Sequence, residues 1–168
     1  MTKYVLSIVV DNNPNVMARV SSMFARRRFN MTSVTAAQTS DPNVSVITIV
    51  TEGDAHVLDQ AIKQTQKLQE VRSISLLPRN ESLLCETIMI RLAFDEKNIS
   101  LIKDIVEVYR AKIIDLTSSS MVVQLTGKPS KIDGFLEVMS PYHVLEMCRS
   151  GVIGMPRGSQ SDWWKNKA

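Results

Sequence analysis

An order of strand and helix signals laid down in residues 4–77 is laid down again in residues 84–148, and this duplication constrains the fold more than any other feature. Tyr4 to Val10 is a β-branched and apolar run that stops at Asp11-Asn12, the mark of a buried strand meeting a turn. Val16, Val20, Met23 and Phe24 then recur at helical spacing. Phe29 to Ala37 reads as a second strand, Ser40-Asp41-Pro42-Asn43 as a turn, and Val44 to Val50 as a third strand. Gly53-Asp54 opens a second helix carrying Val57, Leu58, Ala61, Ile62 and Leu68, and Val71 to Leu77 is a fourth strand stopped by Pro78.

After the linker Pro78-Arg79-Asn80-Glu81-Ser82 the series restarts. Leu84 to Phe94 is strand-like, and Ile99, Ile102, Ile105, Val106 and Tyr109 lie along a helix. Ala111 to Leu116 and Met121 to Leu125 are strands around Ser118-Ser119-Ser120. Pro129 opens a helix bearing Ile132, Phe135, Leu136 and Met139, and Tyr142 to Cys148 is the last strand. The pattern predicts an α+β chain of two tandem ferredoxin-like βαββαβ domains, residues 1–78 and 79–168. Each is a four-stranded antiparallel sheet with two helices on one face.

The catalytic inventory is thin. His56 and His143 lack a carboxylate or cysteine pattern beside them. Ser100-Leu101-Ile102-Lys103 lies inside a helical pattern without the companion motifs of an S-x-x-K enzyme. Gly127-Lys128 lacks the upstream glycine of a phosphate-binding loop, and Gly151-Val152-Ile153-Gly154 reads as a flexible turn or docking segment. Arg26-Arg27-Arg28 falls in the last turn of the first helix, where the dipole favours cations. The strands NVSVITIV and SMVVQLT carry no aromatics on which bases would stack, which argues against nucleic acid, and a net charge of +3 adds no support for it. No apolar run reaches the length of a membrane span. The N-terminal MTKYVLSIVV is read as a first strand and not as a signal peptide. Cys85 and Cys148 form no metal spacing and no disulfide framework, so free thiols in a cytoplasmic protein are expected, even if the two lie on neighbouring strands. Asn-x-Ser/Thr triplets begin at Asn30, Asn43, Asn80 and Asn98, and have no meaning without secretion.

The loop Asn12-Asn13-Pro14-Asn15 is richer in hydrogen-bonding groups than a strand-to-helix turn needs. Asn12 or Asn13 can cap the helix, with Pro14 at its first position. The same groups suit a zwitterionic amino acid: the helix N-terminus favours a carboxylate, and Asn amides both donate and accept. Val16 and Met31 would then surround an aliphatic side chain. Cap and ligand contact both stay open on residue chemistry alone.

The stretch from Leu6 to Asp54 resembles the ACT domain of the regulatory (small) subunit of acetolactate synthase, also called acetohydroxyacid synthase. The resemblance is carried by Asn12-Asn13-Pro14-Asn15-Val16-Met17-Ala18-Arg19-Val20, close to the family's N-x-x-G-x-L-x-R-V, and by Arg27-Arg28-Phe29-Asn30-Met31-Thr32-Ser33-Val34. VYRAKIIDLTSSSMVVQLTGKPSKIDGFLEVM and RSGVIGMPRG are similar to the family's C-terminal domain and closing segment. Only the Trp163-Trp164 tail stands outside the likeness.

The resemblance implies a non-catalytic chain without a cofactor of its own. Its partner, the large subunit, would hold thiamine diphosphate, magnesium and FAD and condense pyruvate. The small subunit would activate it and confer feedback inhibition by a branched-chain amino acid, as a homodimer with the effector between paired ACT domains. An alternative is a stand-alone amino-acid-sensing ACT regulator. The effector contacts implied are Asn12, Asn15, Val16, Asn30 and Met31. Asn15 replaces the usual glycine, Arg28 replaces the glycine before the aromatic, and Val16-Met17 replaces a small-residue pair; weakened effector binding is expected.

Overall fold

A computed structural model of the chain describes residues 2–26 and 29–158, apart from the side chain of Val57. In chain order the elements are β1 (Thr2–Asp11), α1 (Val16–Arg26), β2 (Asn30–Gln38), β3 (Val44–Gly53), α2 (Ala55–Thr65) and β4 (Val71–Leu76). Then follow β5 (Ser82–Ala93), α3 (Ile99–Val108), β6 (Lys112–Leu116), β7 (Ser120–Gly127), α4 (Pro129–Met139), β8 (Val144–Arg149) and β9 (Ile153–Pro156). The βαββαβ order is present twice, and the strand orders β2-β3-β1-β4 and β6-β7-β5-β8 are the same arrangement in two copies.

The described residues up to Leu83, with those from Val152 onward, form one compact unit; Leu84–Gly151 form the other. The linker reading placed the division at 78/79, ahead of this point. The last described residues belong to the first unit: Val152 is buried and its N–H donates to Ser33 Oγ (3.2 Å).

In the first unit, Leu6, Ile8 and Val10 of β1 meet Ile47 and Ile49 of β3 beneath Val16, Val20 and Phe24 of α1 and Leu58 and Ala61 of α2. Phe29 packs edge-on against Phe24. Val5, Ser7 and Val9, on the opposite face of β1, are also buried, which is why the strand reads as a continuous apolar run and not as an alternation. The second unit repeats the plan with Ile88, Ile90 and Leu92 under Ile102, Val106, Ile132 and Phe135. Pro129 stands at the start of α4, where its missing N–H costs nothing.

The second unit contains one nearly buried charge. Glu86 on β5 is 4% exposed, and Arg149 at the end of β8 grips both its oxygens (Nε–Oε1 2.7 Å, Nη2–Oε2 2.8 Å). Asp133 of α4 lies 3.3 Å from the same guanidinium. The hydrogen bonds that Arg149 donates to Glu86 hold its pKa above the ordinary value, against the opposing effect of burial. The next residue continues the tie, since Ser150 N–H donates to Thr87 O (2.9 Å) and Thr87 N–H donates to Ser150 Oγ (3.0 Å).

Three expectations need correction. The helix begins at Val16, two residues beyond the reading that placed Pro14 inside it; Asn15 has φ 70°, and that left-handed residue ends the turn before helical geometry can start. The Gly151–Gly154 segment is not only a turn: Ile153–Pro156 forms β9, which pairs with β5. Cys148 lies opposite Met89 and not Cys85; four residues of strand, roughly 13 Å, separate the Cys85 and Met89 positions. Arg27, Arg28 and the Trp163-Trp164 tail lie outside the described residues.

Candidate effector-binding site

The loop after β1 gives each of its asparagines a separate task. Asn12 is a brace: its Nδ2 donates to Pro42 O (2.9 Å), and Ser45 Oγ donates to its Oδ1 (3.0 Å). Its backbone N–H donates to Asn43 O (2.8 Å), so the loop is fastened to the turn between β2 and β3. Asn13 closes the bend, with its N–H on Asp11 O (2.9 Å). Asn15 precedes the helix, and its carbonyl accepts the first i→i−4 bond, from Arg19 N–H (3.0 Å). A β-branched residue would be strained at that φ, whereas Asn tolerates it.

The amides of Met17 and Ala18 precede that first helical bond, Val16 N–H donates to Asn13 O (3.5 Å), and the first turn of α1 holds no acidic side chain. With no acidic side chain in that turn, the positive end of the helix favours an anion. The carboxylate that ends β1 is engaged elsewhere: Asp11 Oδ1 accepts from Arg72 Nε at 2.6 Å. Arg19 pairs with Glu70 on the other flank of the loop. Asn15, the residue before the helix, is exposed.

Val16 is 5% exposed and points into the core of its own unit. Met31 is partly buried against the same core. Asn30 is exposed at the first residue of β2, and its carbonyl accepts from Thr51 Oγ1 (3.0 Å).

The five residues fall into two groups. Asn12, Asn15 and Val16 follow Asp11, which lies opposite Val44 at the start of β3. Asn30 lies opposite Glu52, and Met31 opposite Thr51, at the far end of β3. Eight residues of strand separate Val44 from Glu52, roughly 26 Å at 3.3 Å per residue. Within one chain the two groups sit at opposite ends of the sheet. The residues read from the sequence did not include Ser45 or Pro42, which hold Asn12; in the sequence Pro42 reads only as part of the turn at 40–43 and Ser45 only as part of the third strand.

Among the described residues there is no group of three or more His, Cys, Asp or Glu side chains able to hold a metal ion. Nor is any helix among them long and apolar enough to cross a membrane.

Residues 6–73 match the family model described as the AHAS small subunit-like ACT domain, and residues 85–158 match the model of the small subunit of acetolactate synthase. The acetolactate synthase isozyme 3 small subunit of Escherichia coli (strain K12) is 35% identical over 157 residues, 93% of this chain and 96% of that protein. The probable acetolactate synthase small subunit of Archaeoglobus fulgidus is 34% identical over 158 residues, 94% of this chain and 99% of that one. The crystal structure of the acetolactate synthase small subunit from Thermotoga maritima superposes with a TM-score of 0.85 at 31% identity, covering 95% of this chain and 99% of that one. The two-fold repeat, the ACT sheet and its asparagine loop, and these full-length likenesses place the chain in the acetolactate synthase small-subunit family.

Proposed function

We propose that the chain activates the catalytic large subunit of acetolactate synthase and makes it sensitive to a branched-chain amino acid bound between two copies of the first unit. Thiamine diphosphate, magnesium and FAD would reside in the large subunit, and the work of this chain is regulatory.

The supporting observation is the strand register. β2 is an edge strand, and an open edge favours pairing with a second copy. In a two-fold antiparallel pairing, the start of one β2 meets the end of the other. Gln38 at the end of β2 lies opposite Ser45, beside the loop that holds Asn12. Such pairing would bring Asn30 of the partner subunit to the helix N-terminus. The carboxylate of the effector would face the first-turn amides of α1, with its ammonium between the asparagine side chains. Neither chain would hold a complete site alone. Binding would then shift the population of dimer arrangements, and the large subunit would respond to that shift.

Mixing the chain with its large subunit is expected to raise acetolactate turnover several-fold, and the chain alone is expected to form none. Unchanged turnover in a mixture shown by sizing to form a complex would refute the proposal.

Asn15 sets the strength of the effector response. Glycine adopts positive φ freely and leaves the helix end open, whereas the Asn15 amide adds volume and polarity where an aliphatic amino acid would sit. Leaving that amide unpaired would cost about 1–3 kcal/mol of binding. Asn15→Gly is expected to melt close to the native chain without ligand and to show a larger thermal shift with valine, leucine or isoleucine. At about a hundred times the dissociation constant a ligand stabilises by roughly 2.7 kcal/mol. Equal and strong shifts in both proteins would show that Asn15 is only a turn residue.

A further inference from the structure

On the outer side of the first unit, α1 and α2 leave a groove of about 860 Å3 between them. Arg19, Ser22, Met23 and Arg26 line one wall at i, i+3, i+4 and i+7, which places them on one helix face. Gln60 and Gln64, one turn apart on α2, line the other. Between the walls Met23, Phe29 and Leu68 supply apolar surface; Phe29 is 8% exposed, and Met23 and Leu68 pack on the core.

The charge in the groove has one sign. Its described lining holds two arginines and no carboxylate. Arg19 is balanced by Glu70, but none of the ion pairs among the described residues uses Arg26. Arg26 is exposed in the last turn of α1. The glutamine amides both donate and accept, as a peptide backbone requires. From Arg19 to Arg26 the wall runs about 10.5 Å, seven residues at 1.5 Å each. That exceeds a free amino acid or a single phosphate group and matches several residues of extended chain.

We propose that this groove receives an acidic segment of the large subunit. An Asp or Glu side chain of that segment lies against Arg26, an apolar side chain covers Met23, Phe29 and Leu68, and its backbone runs between the polar walls. The assignment rests on the regulatory-subunit reading above and names the surface through which that regulation passes.

The test is the affinity of the full-length chain for the large subunit, at low and at raised salt. The variants are Arg26→Gln, Arg26→Glu and Arg26→Glu with Gln64→Glu, with the exposed Lys97→Glu of the second unit as control. The double variant is expected to bind at least tenfold more weakly, Arg26→Gln to fall between it and the native chain, and Lys97→Glu to stay within twofold. Dimer mass and melting without ligand, measured on each variant, separate loss of contact from loss of fold. Hydrogen exchange on the native complex is expected to slow in residues 16–26 and 55–65. Native binding with the double variant unaffected, or protection confined to other elements, overturns the groove alone. Protection of α1 and α2 by inorganic phosphate without the large subunit marks an anion site and also overturns it. A native chain that does not bind the large subunit overturns the regulatory reading and the groove together.

Discussion

Arg149→Ala is expected to destabilise the protein by about 3 kcal/mol, because it strands the nearly buried Glu86 carboxylate without its partner. For a chain of this length that corresponds to a fall in melting temperature of roughly 6–12 °C. The loss falls at the low end of that seen for broken buried pairs, since the arginine side chain itself is 38% exposed. Arg149→Lys keeps the charge but loses the two-pronged grip, and should recover only part of the loss. Replacing Glu86 and Arg149 together by leucine should recover more, because no buried charge is then left unpaired. Glu86 raises the pKa of Arg149, so the arginine contribution is complete below its ordinary titration range and is lost only as pH rises through the still higher folded value. Stability from this side of the pair should therefore stay flat from neutral to mildly alkaline pH. A melting temperature for Arg149→Ala within a degree of the native chain would show the pair to be dispensable.

The strands were legible because most are short apolar stretches, rich in β-branched residues in β1 and β3 and bounded by turn residues, and their duplication supplied the two sheets. The Glu86–Arg149 pair was not legible: 63 residues separate its members, and only the β5–β8 register brings them together. The start of α1 was misread because Pro14 suits a first helical position in general, while here Asn15 turns left-handed and delays the helix to Val16. β9 escaped because two glycines in Gly151-Val152-Ile153-Gly154 are a turn signal, and a four-residue strand leaves no periodicity to set against it. At the candidate site, the asparagine loop stood out as chemistry. What periodicity could not show is that Asn12 spends its amide on Pro42 and Ser45, or that Asn30 stands at the other end of the sheet.

That placement carries the central claim, an effector site shared between two chains, and mixed dimers test it most directly. Asn12→Ala and Asn30→Ala, each in an Asn15→Gly background for tighter binding, are expected to abolish effector binding as homodimers. Asn12→Ala also removes the two hydrogen bonds of the loop brace, so melting without ligand is recorded for each variant. The mixed dimer, isolated with two different affinity tags, combines both losses in one site and leaves the other site as in the Asn15→Gly parent. Calorimetric titration of that mixed dimer with valine, leucine and isoleucine should give half the binding capacity of the Asn15→Gly parent, at the affinity of the parent. If each site were built within a single chain, both sites of the mixed dimer would be damaged; no recovery of binding would contradict the account.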